Sequence, residues 1–299
     1  MASKKTTSIQ ERALALLNDP DFFGKVREAV ARGGLVGEAR NIVAIFVVAI
    51  SSLLKKPMNA ILKGVSSAGK NFLASGVLLL IPESAIKEIT SSSKTAWNYS
   101  KDDFRNRIVY LQERSNDAAG AVDSIRLLIS EGQIKRTVTV RKDGQLTTEI
   151  FVAEGPIAAI STTTRDRIQI DDETRHVSLW LDESQEQTRR IVDRQMSPLP
   201  ALSDEELEVW RKVYEIISTR SSVPVEFPEW FKKITDKVDV SNIRVRRYFP
   251  AFLAAVRTIA LIYSFKWHPE DFESEESIVA GFYEYAMAAY IFDSAFVES

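Results

Sequence analysis

The chain has 299 residues, 45% of them hydrophobic and 27% charged, with a formal net charge of −2. That balance suits a soluble globular protein with one sizeable core plus one or two smaller helical units, and it gives no global sign of nucleic-acid binding, so any such contact must come from a local patch. The absence of cysteine excludes disulfides and cysteine-ligated zinc and fits a reducing cytoplasm, and two histidines, His176 and His268, do not supply a histidine-rich metal site.

The polar start "MASKKTTS" is not followed by an apolar signal core, so secretion is not expected. Residues 8–57 read as helices: "IQERALALL" has apolar residues at helical spacing, and "DPDFFGKVREAVARGG" is closed by glycines. The strongest apolar run, "IVAIFVVAI" at 42–50, is too short to span a bilayer and reads as a buried helix or strand. No membrane association is expected. Lys55-Lys56-Pro57 breaks the pattern, "NAILKG" reads as a short strand, and "NFLASGVLLLI" reads as a helix stopped at Pro82.

Further on, "RIVYLQE" at 107–113 is an apolar strand with polar Gln112 and Glu113 at its end, and "VDSIRLLISEG" is helical. "IKRTVTVRKDGQLTTEIFV" at 134–152 alternates around Asp143-Gly144, which predicts a β-hairpin. "GPIAAISTTT" is a buried strand ending in hydroxyls, and "HVSLWLDES" a strand leading into a helix. "MSPLPALS" at 196–203 marks a boundary. Beyond it the chain reads as helical, opening with a capping box from Ser203 to Glu206 and including the apolar stretches "RRYFPAFLAAVRTIALIYSF" and "SEESIVAGFYEYAMAAYIF". "EFPEWFKKI", with Phe227, Trp230 and Phe231, is either an aromatic patch for bases or a helix anchored to the core.

The chemistry centres on "GVSSAGKN", Gly64 to Asn71. Strand, Gly-x-x-x-x-Gly-Lys loop and helix follow in the order that a phosphate-binding loop needs. Backbone N–H groups of Gly64, Val65, Ser66, Ser67, Ala68 and Gly69 can wrap phosphates, the helix start at Asn71 and Phe72 adds its positive end, and Lys70 reaches the outer phosphates. The alternative is a glycine turn before an amphipathic helix. Asn71 stands where Ser or Thr usually holds magnesium, and its amide oxygen is a neutral ligand that a hard cation accepts. Glu113 is the candidate base for hydrolysis, and Gln112 stands on the metal side where Asp is usual.

At this point the chain resembles AAA+ ATPases, and among them the helicase-like ATPases of phages and mobile elements that are related to the minichromosome maintenance helicases. The resemblance covers roughly residues 35–265 and rests on an ordered set of weak motifs. It implies an α/β P-loop core at 58–197 with an inserted hairpin at 134–152, a helical N-terminal domain at 1–57 and a helical C-terminal lid at 198–299. ATP and Mg2+ are the implied cofactors, with Asn71 and Gln112 on the metal. Thr162 or Thr163 takes the place of the residue that senses the γ-phosphate, Arg175 that of an arginine finger, and Arg246 or Arg247 that of a second sensor. The bland alternatives are a solvated arginine beside Asp171, Asp172 and Glu173, a hydroxyl run that caps the next turn, and lid arginines facing solvent.

The hairpin falls where the related helicases carry a pre-sensor hairpin. Lys135, Arg136, Arg141 and Lys142 against the single acid Asp143 form the clearest basic cluster and would touch DNA phosphates in a ring's channel. The alternative is a surface hairpin kept soluble by charge. The expected function is ATP-driven DNA translocation or unwinding by a ring-shaped homo-oligomer, by analogy a hexamer. A non-helicase ATP-controlled scaffold that binds DNA and recruits a recombinase, transposase or replication protein is the alternative, and the two amides favour slow hydrolysis. A small-molecule P-loop kinase leaves the hairpin and "DETR" without a role.

Overall fold

The apolar runs around the glycine loop pair side by side into one parallel sheet. The computed structural model describes residues 8–89, 103–113, 119–142, 145–165, 168–236, 238, 240–267 and 277–292. Its central sheet comprises β1 (Ala60–Lys63), β2 (Ile86–Ile89), β3 (Arg107–Leu111), β6 (Ile157–Thr163) and β7 (Val177–Trp180) in the order β2-β3-β6-β1-β7. All four pairings are parallel. β2 is the strand that the sequence pattern does not announce. It is the edge strand, four residues long, with both central side chains, Lys87 and Glu88, exposed, so it lacks the apolar run that marks a buried parallel strand.

The sheet separates two cores, and alternation along each strand divides its side chains between them. Leu62, Tyr110 and Ile160 face the larger core. Val109, Leu111 and Ala159 face the smaller one, covered by α5 (Ala119–Glu131) and by the root of a hairpin. The larger core is filled by α3 (Ala39–Ser51), in which every residue from Asn41 to Ser51 is buried. Apolar residues on all sides leave such a helix nowhere but the interior, which settles the run at 42–50 as helix.

α1 (Ile9–Leu17) and α2 (Phe22–Arg32) join the same core, as do α4 (Lys70–Leu78), α8 (Asp204–Thr219), α10 (Val245–Trp267) and α11 (Phe282–Phe292). α1 starts on a capping box of Ser8 and Glu11, and α8 on the expected box of Ser203 and Glu206. Glu206 also receives the Arg32 guanidinium, which holds its carboxyl down to about 2. Arg12 pairs with Glu205 across the same seam.

α10 is long and apolar enough by length and composition to cross a bilayer, and 67% of its apolar window is buried inside the fold, as for a core helix. The stretch 274–292 differs from the helix its composition suggests. Ile278–Val279 forms β9, parallel to β8 (Val225–Glu226), and α11 begins only at Phe282, where Glu284 accepts the Gly281 N–H at 2.8 Å. α9 (Glu229–Thr235) carries "EWFKKI"; Phe231 is buried and packs on Tyr285, and Phe227 lies under Arg257, so these rings anchor the helix to α10 and α11.

β4 (Gln133–Lys142) and β5 (Gln145–Glu154) pair antiparallel in continuous register from Gln133↔Glu154 to Lys142↔Gln145. At about 3.3 Å per residue the ribbon is roughly 30 Å long. Ile134 and Ala153 root it in the smaller core, and the Gly155 N–H donates to Gly132 O at 2.7 Å across its base. The expected turn at Asp143-Gly144 lies outside the described residues.

Candidate nucleotide-binding site

β1 ends at Lys63, and the chain turns through Gly64–Gly69 into α4. Gly69 caps the helix at φ +89°, a left-handed conformation that suits glycine. Ser67 takes φ +69° without that freedom, a strained position of the kind that folds hold at functional loops. Lys70 is 6% exposed, and its ammonium donates to Gly64 O and Val65 O, both at 2.7 Å, which holds it across the loop. The first N–H groups of α4 open onto the same space, an arrangement that favours an anion.

Parallel pairing brings three chain segments to this loop. Leu62 pairs with Thr162, and Leu111 with Ser161, so the ends of β1, β3 and β6 lie together. The Thr162 hydroxyl then links them: it donates to Asn71 Oδ1 at 2.9 Å and accepts the Glu113 N–H at 2.9 Å. Thr164 Oγ1 donates to Glu113 Oε1 at 3.2 Å. Glu113 sits at φ +57°, held there at both ends by hydroxyls. A cleft of about 290 Å³ results, lined by Ser66, Ser67 and the run from Gly69 to Phe72 together with Glu113 and Thr164.

The remaining sequence candidates lie around this cleft in different ways. The Gln112 amide turns to Glu88 on β2, away from the loop. The Thr163 side chain is on the other face of β6, buried, with its hydroxyl accepting the Arg165 N–H at 3.1 Å. Arg175 follows the short helix α6 (Ile170–Glu173) and donates through Nε to Ser130 Oγ at 2.9 Å, at the end of α5. Arg247 donates to Thr174 Oγ1 at 2.6 Å, which ties α10 to the segment carrying Arg175, while Arg246 is exposed. Lys135 is exposed near the root of β4; Arg136, Arg141 and Lys142 follow along the same strand, the last two at the end far from the core.

Several participants escape sequence reasoning. Lys63, 1% exposed, lies directly before the loop, pairs with Glu173 and has its ammonium 5.0 Å from the centre of the Trp180 ring. Glu183, after β7, accepts the Val65 N–H at 2.6 Å and braces the loop from its outer side. Both depend on which strand lies beside β1, which no local pattern states. Thr164 belongs to the hydroxyl run and was within reach of the sequence; the carboxylate at the end of "LWLDE" was visible but had no stated neighbour.

This order of strand, glycine loop, buried lysine and helix start, with a carboxylate opposite, is the construction of a phosphate site. Residues 8–220 match the MTBMA_p00010 P-loop domain family. The chain belongs to that family. The matched P-loop domain begins at Ser8, the N-cap of α1, and ends at Arg220, the C-cap of α8. It therefore takes in the helices before the loop as well as the sheet. No curated protein matches the chain. The P-loop family and the parallel sheet with flanking helices make this an α/β P-loop NTPase domain that binds nucleotide.

The donor set fits a nucleotide with magnesium. Lys70 and the α4 amides suit phosphates, and Asn71 Oδ1 and the Glu113 carboxylate are oxygen donors at the cleft. Magnesium keeps several of its waters and needs few protein ligands. Among the described residues no cluster of three or more His, Cys, Asp or Glu could hold a metal by itself, so phosphate oxygens would have to supply part of its shell. The ion's chemistry there would be to neutralise charge on the phosphates.

Proposed function

We propose that the chain is an ATP-driven DNA translocase or helicase of AAA+ type, serving a phage or mobile element and working as a ring-shaped homo-oligomer, by analogy a hexamer. The observation that carries this reading is the position of the hairpin. β5 runs through Gly155-Pro156 straight into β6, the strand that carries Thr162 to Asn71 and Glu113. A two-stranded ribbon is thus continuous with the strand that touches the nucleotide loop, and its far end carries Arg141 and Lys142. The strand order is consistent with the reading too, since β6 lies between the loop strand β1 and the Glu113 strand β3.

In this scheme Lys70 and the loop amides hold the phosphates, Glu113 polarises the attacking water and Thr162 registers the outer phosphate. Arg175 acts on a neighbouring subunit's nucleotide. It leaves the segment that Glu173 ties to Lys63 and Thr174 ties to Arg247, so its placement follows both the loop strand and α10.

The test is the double variant Arg141→Ala/Lys142→Ala. DNA affinity should fall, and the slope of log affinity against log salt should shrink by roughly 0.7 for each single-strand phosphate that the variant no longer neutralises. DNA stimulation of ATP hydrolysis should vanish while ATP binding persists. Unchanged affinity and slope would remove the hairpin from DNA binding, and the motor reading with it.

A second reading, a DNA-binding scaffold switched by ATP that recruits a recombinase, transposase or replication protein, has one observation in its favour. Both amides that the sequence assigns to the metal are engaged within the protein, Asn71 with Thr162 and Gln112 with Glu88. Slow turnover with ATP-dependent assembly and no strand displacement would select the scaffold.

A further inference from the structure

Lys63 ends β1, a strand whose four residues are all buried. Its neighbours at that level of the sheet are Thr163 on β6 and Trp180 on β7. The phosphate loop does not use its ammonium, since the lysine that crosses the loop is Lys70. Glu183, just before α7 (Gln185–Met196), braces the loop from outside, whereas the Lys63 side chain leads away from it, to Glu173. A buried charge is costly without a partner. Replacing a buried ion pair by apolar side chains is often neutral, so stability does not account for this one; what such a pair can add is a fixed register between the elements it joins.

The element joined to β1 is the turn that carries Arg175. Glu173 closes α6 two residues before Arg175. A second side chain, Asn59, holds the same turn from the other end of β1. It is buried; its Oδ1 accepts the Ala159 N–H of β6 at 2.9 Å, and its Nδ2 donates to Arg175 O at 3.4 Å. Asn59 O also accepts the Val177 N–H at 2.7 Å. Between these anchors His176, buried, donates from Nδ1 to Asp172 O at 2.7 Å and closes the turn. Residues 173–177 are thus pinned to both ends of the strand that feeds the phosphate loop, and the Arg175 side chain leaves from this pinned turn. Lys63 adjoins Gly64, whose carbonyl holds the Lys70 ammonium at 2.7 Å. A loop that shifts on taking up phosphates therefore moves Lys63, and Glu173 with it.

We infer that Lys63 is a positioning residue: through Glu173 it couples its own subunit's phosphate loop to Arg175, and so governs hydrolysis in the neighbouring subunit rather than in its own. The inference rests on the reading of Arg175 as acting on a neighbour's nucleotide and adds the link that sets it. Lys63→Met keeps the stem of the side chain and removes the ammonium. Glu173 is one-third exposed and can take water in its place, so the variant should fold. Glu173→Gln breaks the same pair from the other side.

Subunit mixing of the full chain tests it, with thermal melting to confirm folding of each variant. Alone, Lys63→Met and Glu173→Gln should bind a fluorescent ATP analogue like the wild type and turn over ATP on the order of 10²-fold more slowly, the cost of a misplaced group. Each is then mixed in equal amounts with Glu113→Gln, and mixed oligomers are isolated through two different tags. Turnover should return to about a quarter of the wild-type level, the fraction of head-to-tail contacts in which an intact base meets an intact Arg175 turn. Arg175→Ala mixed with Glu113→Gln is the control. Rescue of the control without rescue of Lys63→Met or Glu173→Gln would show that the pair serves its own subunit, which overturns the inference and leaves the Arg175 reading standing. No rescue in the control would overturn both. Wild-type turnover in the two variants, or loss of ATP binding in them, would also overturn the inference.

Discussion

Replacing Thr162 by valine removes one hydroxyl from a buried position and keeps its shape. That hydroxyl makes two hydrogen bonds, to Asn71 Oδ1 and from the Glu113 N–H, each 2.9 Å long, and Thr162 is 0% exposed. Each bond contributes about 0.5–1.5 kcal/mol net, and an orphaned buried partner costs about 1–3 kcal/mol. Asn71 and Glu113 line an open cleft, so water can replace part of the loss. The expected destabilisation is therefore about 1–2 kcal/mol, a fall of a few degrees in melting temperature for a domain of this size. The larger effect should be on turnover. Glu113 holds φ +57° with the Thr162 hydroxyl on its N–H, and a base released from such a position loses alignment worth up to about 10²-fold. Steady-state ATP hydrolysis and differential scanning fluorimetry read the two effects, with Thr162→Ser as the variant that keeps the hydroxyl and should retain most activity. If Thr162→Val melts and turns over like the wild type, the hydroxyl does not join the loop to Glu113, and the reasoning from this network is wrong.

Lys70→Ala should abolish binding of a fluorescent ATP analogue, because Lys70 is the cation that the loop itself holds; unchanged binding would place the nucleotide elsewhere. Glu206→Gln should cost about 1 kcal/mol near neutral pH, discounted for a pair that is one-third exposed. The Arg32 guanidinium holds the folded-state value near 2, below the usual carboxylate value of about 4.3, so the stabilisation is complete above about 4.3 and is lost as pH falls toward 2. Urea melts at pH 7 and pH 2.5 check it: the gap between wild type and variant should close at the lower pH, and a gap that stays constant would refute the assignment.

The loop, the helix after it and the hairpin were legible because each is written locally. Gly64, Gly69 and Lys70 mark a turn between a short apolar strand and a helix, and alternation around residues 143–144 marks a ribbon. Glu113 and Thr162 were legible as strand ends. What placed them on one loop was the parallel register of β1, β3 and β6, which joins residues about 50 to 90 apart in the chain. The same dependence hid β2, whose edge position excuses it from an apolar pattern, and Glu183, whose partner is the Val65 N–H in the loop after β1. The order of "QE" suggested that Gln112 would join the cleft, but Gln112 lies one residue from Glu113 at a strand end, and its amide follows the neighbouring edge strand to Glu88. A cavity of about 450 Å³ against the loop had no pattern of its own, since walls such as Leu35, Leu181 and Gln187 come from before the loop and after the last strand.

Asn71 gives the clearest division between the two functional readings. Its Oδ1 accepts the Thr162 hydroxyl, so the group standing at the usual magnesium position is already engaged with the strand that would sense phosphate. Serine at this position ends one atom closer to the backbone. It would leave Thr162 without that acceptor, free to turn toward a bound phosphate, and would present a hydroxyl to the ion from the helix start. Both changes favour the metal-bound state, so Asn71→Ser should raise magnesium-dependent turnover several-fold, on the order of a gain of 1 kcal/mol, and move the magnesium midpoint to lower concentration. The cost is one hydrogen bond, about 1 kcal/mol of stability, readable as a small drop in melting temperature. A faster variant would mean that the amide restrains hydrolysis in an otherwise competent motor, whereas turnover equal to or below wild type across the whole magnesium titration would mean that Asn71 serves the link to Thr162 and that its departure from Ser or Thr is no handicap.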